Sequence, residues 1–499
     1  MSLNITDAIF RWCDRDPHAI AVIDAERTID YRMLCGSVCR AAQRFQQAGW
    51  TAGDIVGISF RDSPVLHLVT SLALARMGIT QVSFPASDPT PLSRLRIEQL
   101  GVCGLVIEDG LVAVATSVVT VTPATGWLAE SMDSSSVNDI RAPGGDGIWI
   151  ITESSGTTGQ PKVIGISHAL EEAHGQRQAA VYAHRPGERF LNLAGLRFLI
   201  GIKRAIRCLS DGGTLTLPPA ACNSDQLLNW IELHNVTYIS CVPFHLHQLL
   251  RDIRTDSPRL PSLRILRCSS AALPVATLNE VRRRISPNVY VGYGLSEISA
   301  IAAATPEMLA EHPDTVGRPL NGIELEIADD LDRPLPFGAS GQVRVRGLGI
   351  QPTYLQADAQ EVLRVFRNGW CYPGDIGLKS EAGLVFLKGR ADDVMNFNGI
   401  MIGPGEIESV LRLHPAVAEA AAFALPSPEH QDIPVAAVVS SQALDLNELG
   451  QFCAERLGFR APRMLFQIDE IPKNPMGKIL RRRLTELAAQ KLRAQSHAS

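Results

Sequence analysis

Between Thr152 and Lys162 the chain reads Thr152-Glu153-Ser154-Ser155-Gly156-Thr157-Thr158-Gly159-Gln160-Pro161-Lys162: hydroxyls, glycines and one lysine in a single short stretch. Glycines let backbone N–H groups close on an anion, and hydroxyls and an ammonium complete such a cradle. The chemistry this suits is phosphate binding; the plain alternative is a polar surface loop. The stretch lacks the G-x-x-x-x-G-K-[ST] pattern of a Walker A loop. It follows Ile148-Trp149-Ile150-Ile151, an apolar run that reads as a buried strand.

The elements around it alternate. Tyr31 to Ala48 reads as a helix stopped near Gly49, Asp54 to Ser59 as a buried strand, and Val65 to Met77 as an apolar helix closed by Gly78. Runs at Gly213–Leu217, Val236–Ser240 and Arg264–Cys268 repeat the strand pattern with helix-sized spacers, which predicts α/β layers. From about Leu320 the texture changes. Ile323–Ile327 and Gly341–Gly347 alternate with period two, as half-exposed antiparallel strands do. Beyond Lys388-Gly389-Arg390-Ala391-Asp392-Asp393 a small α/β module follows, with a helix from Pro404 to Leu413 and strands at Ala418–Ala424 and Val435–Ser440. The main domain boundary is expected at Gly389–Asp392, giving domains 1–389 and 390–499.

Chain length (499 residues) predicts at least two domains. A content of 45% hydrophobic and 20% charged residues is ordinary for a soluble enzyme, and a net charge of −5 gives no reason to expect nucleic acid. The runs Arg282–Arg284 and Arg481–Arg483 read as solvated helix faces. Ten scattered cysteines form no C-x-x-C pair, which points to reduced, mostly buried thiols and a cytoplasmic location. Met1 to Phe10 has neither the basic nor the apolar part of a signal peptide. No apolar run is long enough to span a bilayer.

Four further segments fall in order behind the first: Tyr293-Gly294-Leu295-Ser296-Glu297, Tyr372-Pro373-Gly374-Asp375, Gly389-Arg390-Ala391-Asp392-Asp393 with Asn398-Gly399, and Asn474-Pro475-Met476-Gly477-Lys478. With the opening loop they resemble the adenylate-forming enzymes: acyl- and aryl-CoA synthetases, peptide-synthetase adenylation domains and luciferases. The resemblance runs from about Ile5 to Leu484. It implies a large N-terminal domain of layered α/β and antiparallel subdomains, a small mobile C-terminal α/β domain, and a site that uses both. It also implies two steps, in which carboxylate and ATP give acyl-AMP and pyrophosphate and a nucleophile then takes the acyl group.

On that resemblance, Ser155, Gly156, Thr157, Thr158, Gly159 and Lys162 hold the β- and γ-phosphates, with Thr157 and Thr158 as hydroxyl donors. Glu297 binds Mg²⁺, a hard cation that takes oxygen ligands. Tyr293 offers an aromatic face to adenine, with Ala271, Ala272, Gly292, Gly294 and Ser296 around the nucleotide. Ser296 keeps the hydroxyl of the threonine usual at its position. Asp375 accepts the ribose hydroxyls and Arg390 reaches the ribose. Lys478 bridges the substrate carboxylate and the α-phosphate, and a point charge on a flexible stem suits a residue carried by a moving domain. Asp392 stands at the hinge, where a few backbone angles absorb a rotation. Gly399 lines the channel for the incoming thiol. Phe198, Ile202, Val242, Pro243 and Ser270, with Ala271, Ala272 and Gly292, stand where the acyl pocket is expected. Ordinary core packing is the alternative for the apolar ones.

Two departures bear on the second step and on the phosphate loop. Met401 stands where many thioester-forming relatives have arginine, and methionine cannot pair with a phosphate or carboxylate. Val163-Ile164-Gly165 follow Lys162, where glycine is common directly after the lysine. Lys203 and Arg204 would either pair with a polar substituent of the acid or face solvent. The leading expectation is an ATP-dependent acid–CoA ligase for an aromatic or medium apolar acyl acid, with ATP, Mg²⁺ and CoA. A second keeps adenylation and passes the acyl group to a carrier-protein thiol or to an amine. A third is a non-catalytic nucleotide-binding protein of the same fold. The chain ends soon after Lys478, so a carrier protein is expected as a separate partner.

Overall fold

The computed structural model describes residues 3–84, 90–111, 118–128, 140–154, 162–219, 222–253, 259–261, 263–356, 358–397, 400–427, 431–440, 442, 444–474 and 477–496. The chain divides into two compact units. One comprises 1–313, 320–323 and 347–366; the other comprises 314–319, 324–346 and 367–499.

The first unit holds two sheets. In one, the strands run Val119–Val121, Gly104–Ile107, Ile55–Ser59, Thr80–Ser83, Ile148–Ser154, Lys162–Ser167 across the sheet. All neighbours are parallel except the last pair. In the other the order is Ser299–Ala304, Val289–Leu295, Ile265–Ser269, Tyr238–Cys241, Arg189–Asn192, Thr214–Thr216, Ile20–Ile23, Thr28–Asp30. Its middle is parallel, with an antiparallel strand at each of these two ends. One apolar cluster joins both sheets through the helices Tyr31–Gln47 and Pro64–Arg76. Pro64–Arg76 is apolar nearly all round and is buried along its length, as such a helix must be. Asp30 caps Tyr31–Gln47 by accepting from the Met33 N–H at 2.7 Å, which satisfies a donor the helix leaves open. All ten cysteines are free thiols, and only Cys103 and Cys222 reach the surface.

The two faces of the second sheet differ. Leu191, Ile239, Leu266 and Val289 form one register row. With Cys241, Cys268 and Val291 they pack against the helices Ser224–Leu233, Pro243–Asp252 and Val275–Arg284. Alternate residues point the other way. That face carries the row Asn192, Ser240, Arg267, Tyr290, and then Ser269 and Gly292 nearer the strand ends. A parallel sheet covered on both faces ordinarily reads as apolar throughout; this face is polar where the strands end.

The second unit also holds two sheets. The first is antiparallel and contains Ile323–Ala328, Ser340–Gly347, Trp370–Cys371, Asp375–Lys379 and Val385–Arg390. The second contains Met395–Phe397, Ile400–Ile402, Val417–Ser427, Gln431–Ser440 and Met464–Gln467. Alternation explains its two covers. Ala420, Ala422, Ala436 and Val438 meet the helices Pro404–Leu411 and Leu446–Leu457, while Ala421, Phe423, Val435 and Ala437 meet Leu484 and Ala488 of Arg481–Ser496. A single short turn, Ala391–Asp393, leads from one sheet to the other.

Candidate active site

The loop Ser155–Pro161 lies outside the described residues, and with it Ser155, Gly156, Thr157, Thr158 and Gly159. Its two ends are described. Ile148–Ser154 and Lys162–Ser167 pair antiparallel down to Ser154 opposite Lys162, so the seven residues between them join the ends of one hairpin. The outer side of the returning strand meets 353–355: the Gly165 N–H donates to the Thr353 carbonyl at 2.8 Å, and the Leu355 N–H to the Val163 carbonyl at 3.0 Å. This places the Tyr354 ring 4.9 Å from Lys162 Nζ. The Tyr354 hydroxyl in turn donates to Glu297 Oε1 at 3.1 Å. Lys162 and Glu297, 135 residues apart in sequence, thus meet the ring face and the hydroxyl of one aromatic side chain.

Glu297 follows the strand Val289–Leu295, which carries Gly292, Tyr293 and Gly294. Tyr293 is buried and Ser296 is exposed. Gly294 sits at a register shift against Ser299–Ala304, and a Cβ there would lie 2.2 Å from the Ser299 carbonyl oxygen. Only glycine fits so close an approach. Ser270 leaves the strand Ile265–Ser269 with φ +77, and Ser270, Ala271 and Ala272 emerge at the carboxyl end of the sheet. Open α/β sheets bind ligands at that end. Of the expected acyl-pocket residues, Phe198 is half-buried at the start of the helix Leu199–Ser210, while Ile202 and Val242 are buried.

Lys203 and Arg204, on the same helix, do not face solvent. Lys203 is buried and paired with Glu171 at 2.8 Å. Burial lowers its pKa, and Glu171 partly restores it. Arg204 is buried and donates to the hydroxyls of Ser240 and Ser269. Arg177, another buried cation, donates to the Ile298 carbonyl beside Glu297.

In the second unit, Asp375 and Arg390 are cross-strand partners, their side chains 3.4 Å apart. Arg390 Nη1 also donates to the Pro373 carbonyl at 2.6 Å, so the guanidinium folds over the Pro-Gly-Asp turn. Asp392 lies within the turn Ala391–Asp393. Its neighbour Asp393 is 3.5 Å from Arg481, and Arg481 also pairs with Glu408 at 2.7 Å. Arg481 is therefore an internal tie rather than part of a solvated face. Gly399 lies outside the described residues. Met401 has its backbone in Ile400–Ile402, opposite Asn396. Lys478 stands on a tight reversal: its N–H meets Asn474 Oδ1 at 2.9 Å, the Asn474 N–H meets the Lys478 carbonyl at 2.8 Å, and Gly477 takes φ +78. Its side chain is exposed and makes no ion pair among the described residues.

Comparison with known proteins shows the family. The profile of the AMP-binding enzyme family matches residues 9–355, and that of the AMP-binding enzyme C-terminal domain matches 406–478. A 2-succinylbenzoate–CoA ligase of Bacillus velezensis is 31% identical over 67% of this chain and 68% of its own. An indoleacetate–CoA ligase of Aromatoleum aromaticum is 27% identical over 96% of this chain and 98% of its own. Among solved structures, an amide bond synthetase from Marinactinospora thermotolerans superposes with a TM-score of 0.85 at 26% identity, covering 97% of this chain and 99% of the other. The chain belongs to the AMP-binding enzyme family.

Proposed function

We propose that this protein is an ATP-dependent, AMP-forming ligase that activates an aromatic or medium-sized acyl acid as its adenylate and passes the acyl group to CoA. The observation that carries the reading is the Lys162–Tyr354–Glu297 array at the return strand of the glycine–hydroxyl loop. A carboxylate that attacks the α-phosphorus of ATP meets a wall of negative charge, so catalysis here is positioning and neutralisation. Lys162 and the hydroxyls of Thr157 and Thr158 would hold the terminal phosphates. Glu297 fits Mg²⁺: one oxygen is fixed by Tyr354, and the other has no partner among the described residues. No cluster of three metal-ligating side chains exists among the described residues, so the ion would take its remaining ligands from phosphates and water. Mg²⁺ supplies charge neutralisation on the phosphates. Asp375 and Arg390 would hold the ribose. Lys478, exposed on its hairpin, would reach the substrate carboxylate.

The relatives named as ligases of 2-succinylbenzoate and indoleacetate with CoA support an aromatic acid and CoA as acceptor. Met401, in place of an arginine, and the likeness to an amide bond synthetase favour an amine as the second possibility. The free cysteines fit a cytoplasmic setting, and no described helix is long and apolar enough to cross a membrane. The test is pyrophosphate release with ATP and Mg²⁺ across benzoic, cinnamic, phenylacetic and aliphatic acids, each with CoA, with an amine, and with neither. Acid-dependent turnover accelerated by CoA is expected. Acceleration by the amine alone would give the second reading, and nucleotide binding without release from any acid would refute both.

A further inference from the structure

The polar face of the second sheet holds two buried guanidiniums with no counterion among the described residues. Arg204 reaches from the helix Leu199–Ser210 and bonds Ser240 and Ser269. Ser240 is the register partner of Arg267, and Ser269 lies two residues beyond Arg267 on the same face of the same strand. Both arginines are at most 9% exposed. Arg267 Nη2 donates to Gln178 Oε1 at 2.8 Å, and its guanidinium lies 3.6 Å from the centroid of the Tyr182 ring. Among the described residues, no carboxylate pairs with either arginine. Arg267 Nε and the Tyr182 hydroxyl are buried with no hydrogen-bond partner among the described residues.

Burying a cation without an opposite charge is costly, and a second beside it adds repulsion. Arginine cannot readily escape by losing its proton. Burial, and then Arg267, push Arg204 down to about 9, which still leaves it charged at neutral pH. The cluster also lies at the expected pocket. A Cβ on Gly292 would stand 3.4 Å from the Tyr182 hydroxyl and 3.7 Å from Arg267 Nε, and Ser269 leads directly into Ser270 and Ala271.

We propose that the acid this enzyme activates carries a second anionic group, in its simplest form a dicarboxylic acid, received by Arg204 and Arg267 with the Tyr182 hydroxyl. This rests on the ligase reading above and specifies its substrate class. The reacting carboxylate stays at the strand ends with the nucleotide, while the second one descends one residue below Ser270 into the cationic row. Charge-assisted bonds to two guanidiniums are strong and directional, so the preference for the dianion is steep.

The experiment compares matched acids: benzoate with phthalate, phenylacetate with homophthalate, cinnamate with 2-carboxycinnamate, hexanoate with adipate. Pyrophosphate release gives kcat/KM for wild type, Arg204→Met and Arg204→Lys. Thermal unfolding is followed with each acid alone, with AMP and with inorganic phosphate. In at least one pair the dicarboxylate is preferred by about 10²-fold, the scale of truncating a buried charge contact. Arg204→Met brings that ratio to about 1, and Arg204→Lys restores part of it. The same dicarboxylate raises the unfolding temperature of wild type but not of Arg204→Met, and the ligand-free variant unfolds no lower than wild type because a buried repulsion is gone. Arg267→Met serves if Arg204→Met fails to fold. Turnover of monocarboxylates with a ratio unmoved by these variants overturns the proposal and leaves the ligase reading standing. Arg204-dependent protection by a dicarboxylate, with no release from any acid, keeps the site and refutes the ligase reading. Protection by phosphate or AMP in its place, or by no dicarboxylate, overturns the site.

Discussion

Tyr354 holds the Glu297 carboxylate by one hydrogen bond to a charged group, worth about 1.5–3 kcal/mol. Tyr354→Phe is expected to raise the Mg²⁺ concentration for half-maximal pyrophosphate release about tenfold. An unchanged Mg²⁺ dependence would show that Glu297 needs no such support. Lys478→Ala should slow acyl-AMP formation about 10²–10³-fold, the scale of one preorganised charge contact. A rate within a few-fold of wild type would remove Lys478 from the first step. Glu297 and Lys478 were readable because each ends a compact run with distinctive neighbours. Tyr354 was not: it lies 57 residues from Glu297 and has no local signal, and the pairing of 353–355 with the strand Lys162–Ser167 brings the two together. Lys203 and Arg204 were visible as adjacent cations on a helix, but nothing local said that both would turn inward.

Strands and helices were the readable part of the architecture. Helix Tyr31–Gln47 and strand Ile55–Ser59 lie within a residue of where their patterns put them, since a capping Asp30 and an unbroken apolar run leave little choice. The polar sheet face was harder to see. Arg267 interrupts Arg264-Ile265-Leu266-Arg267-Cys268, and an arginine inside an apolar strand is the available signal, but one cation in an apolar run does not by itself say which way it points. The crossing of Gly294 past Ser299 sets the strand pair that delivers Tyr293 and Glu297. Gly294→Ala would push a methyl into backbone that cannot step aside, costing about 1–3 kcal/mol or more. Denaturant unfolding would show it, and an unaltered midpoint would mean that the strands separate easily. Asp392→Pro fixes φ within the turn Ala391–Asp393 and is expected to abolish either adenylation or acyl transfer selectively. Equal loss of both would speak against a hinge there.

Across the whole molecule, stability should depend on acidity in one direction. Burial holds His67, His168 and His174 at about 4, and burial with four nearby arginines holds His184 at about 3, against an ordinary 6.5. Above pH 6.5 these rings are neutral both folded and unfolded, so they add no slope. Below it the unfolded chain takes up protons that the folded one refuses, and each such ring removes on the order of 1.4 kcal/mol per pH unit until its folded pKa is reached. The unfolding temperature is expected to stay level from pH 8 to 6.5 and to fall steadily toward pH 4. A flat profile through pH 5 would contradict the burial of these rings. The sheet spanning 395–467 has a different consequence. Both of its covers draw on residues beyond 394, so among the described residues the segment carries an interior of its own. A segment that packs on itself can be exchanged between relatives with little damage to what precedes it, so a chimera joined at Ala391–Asp393 is expected to keep the Met395–Gln467 sheet and its covers folded.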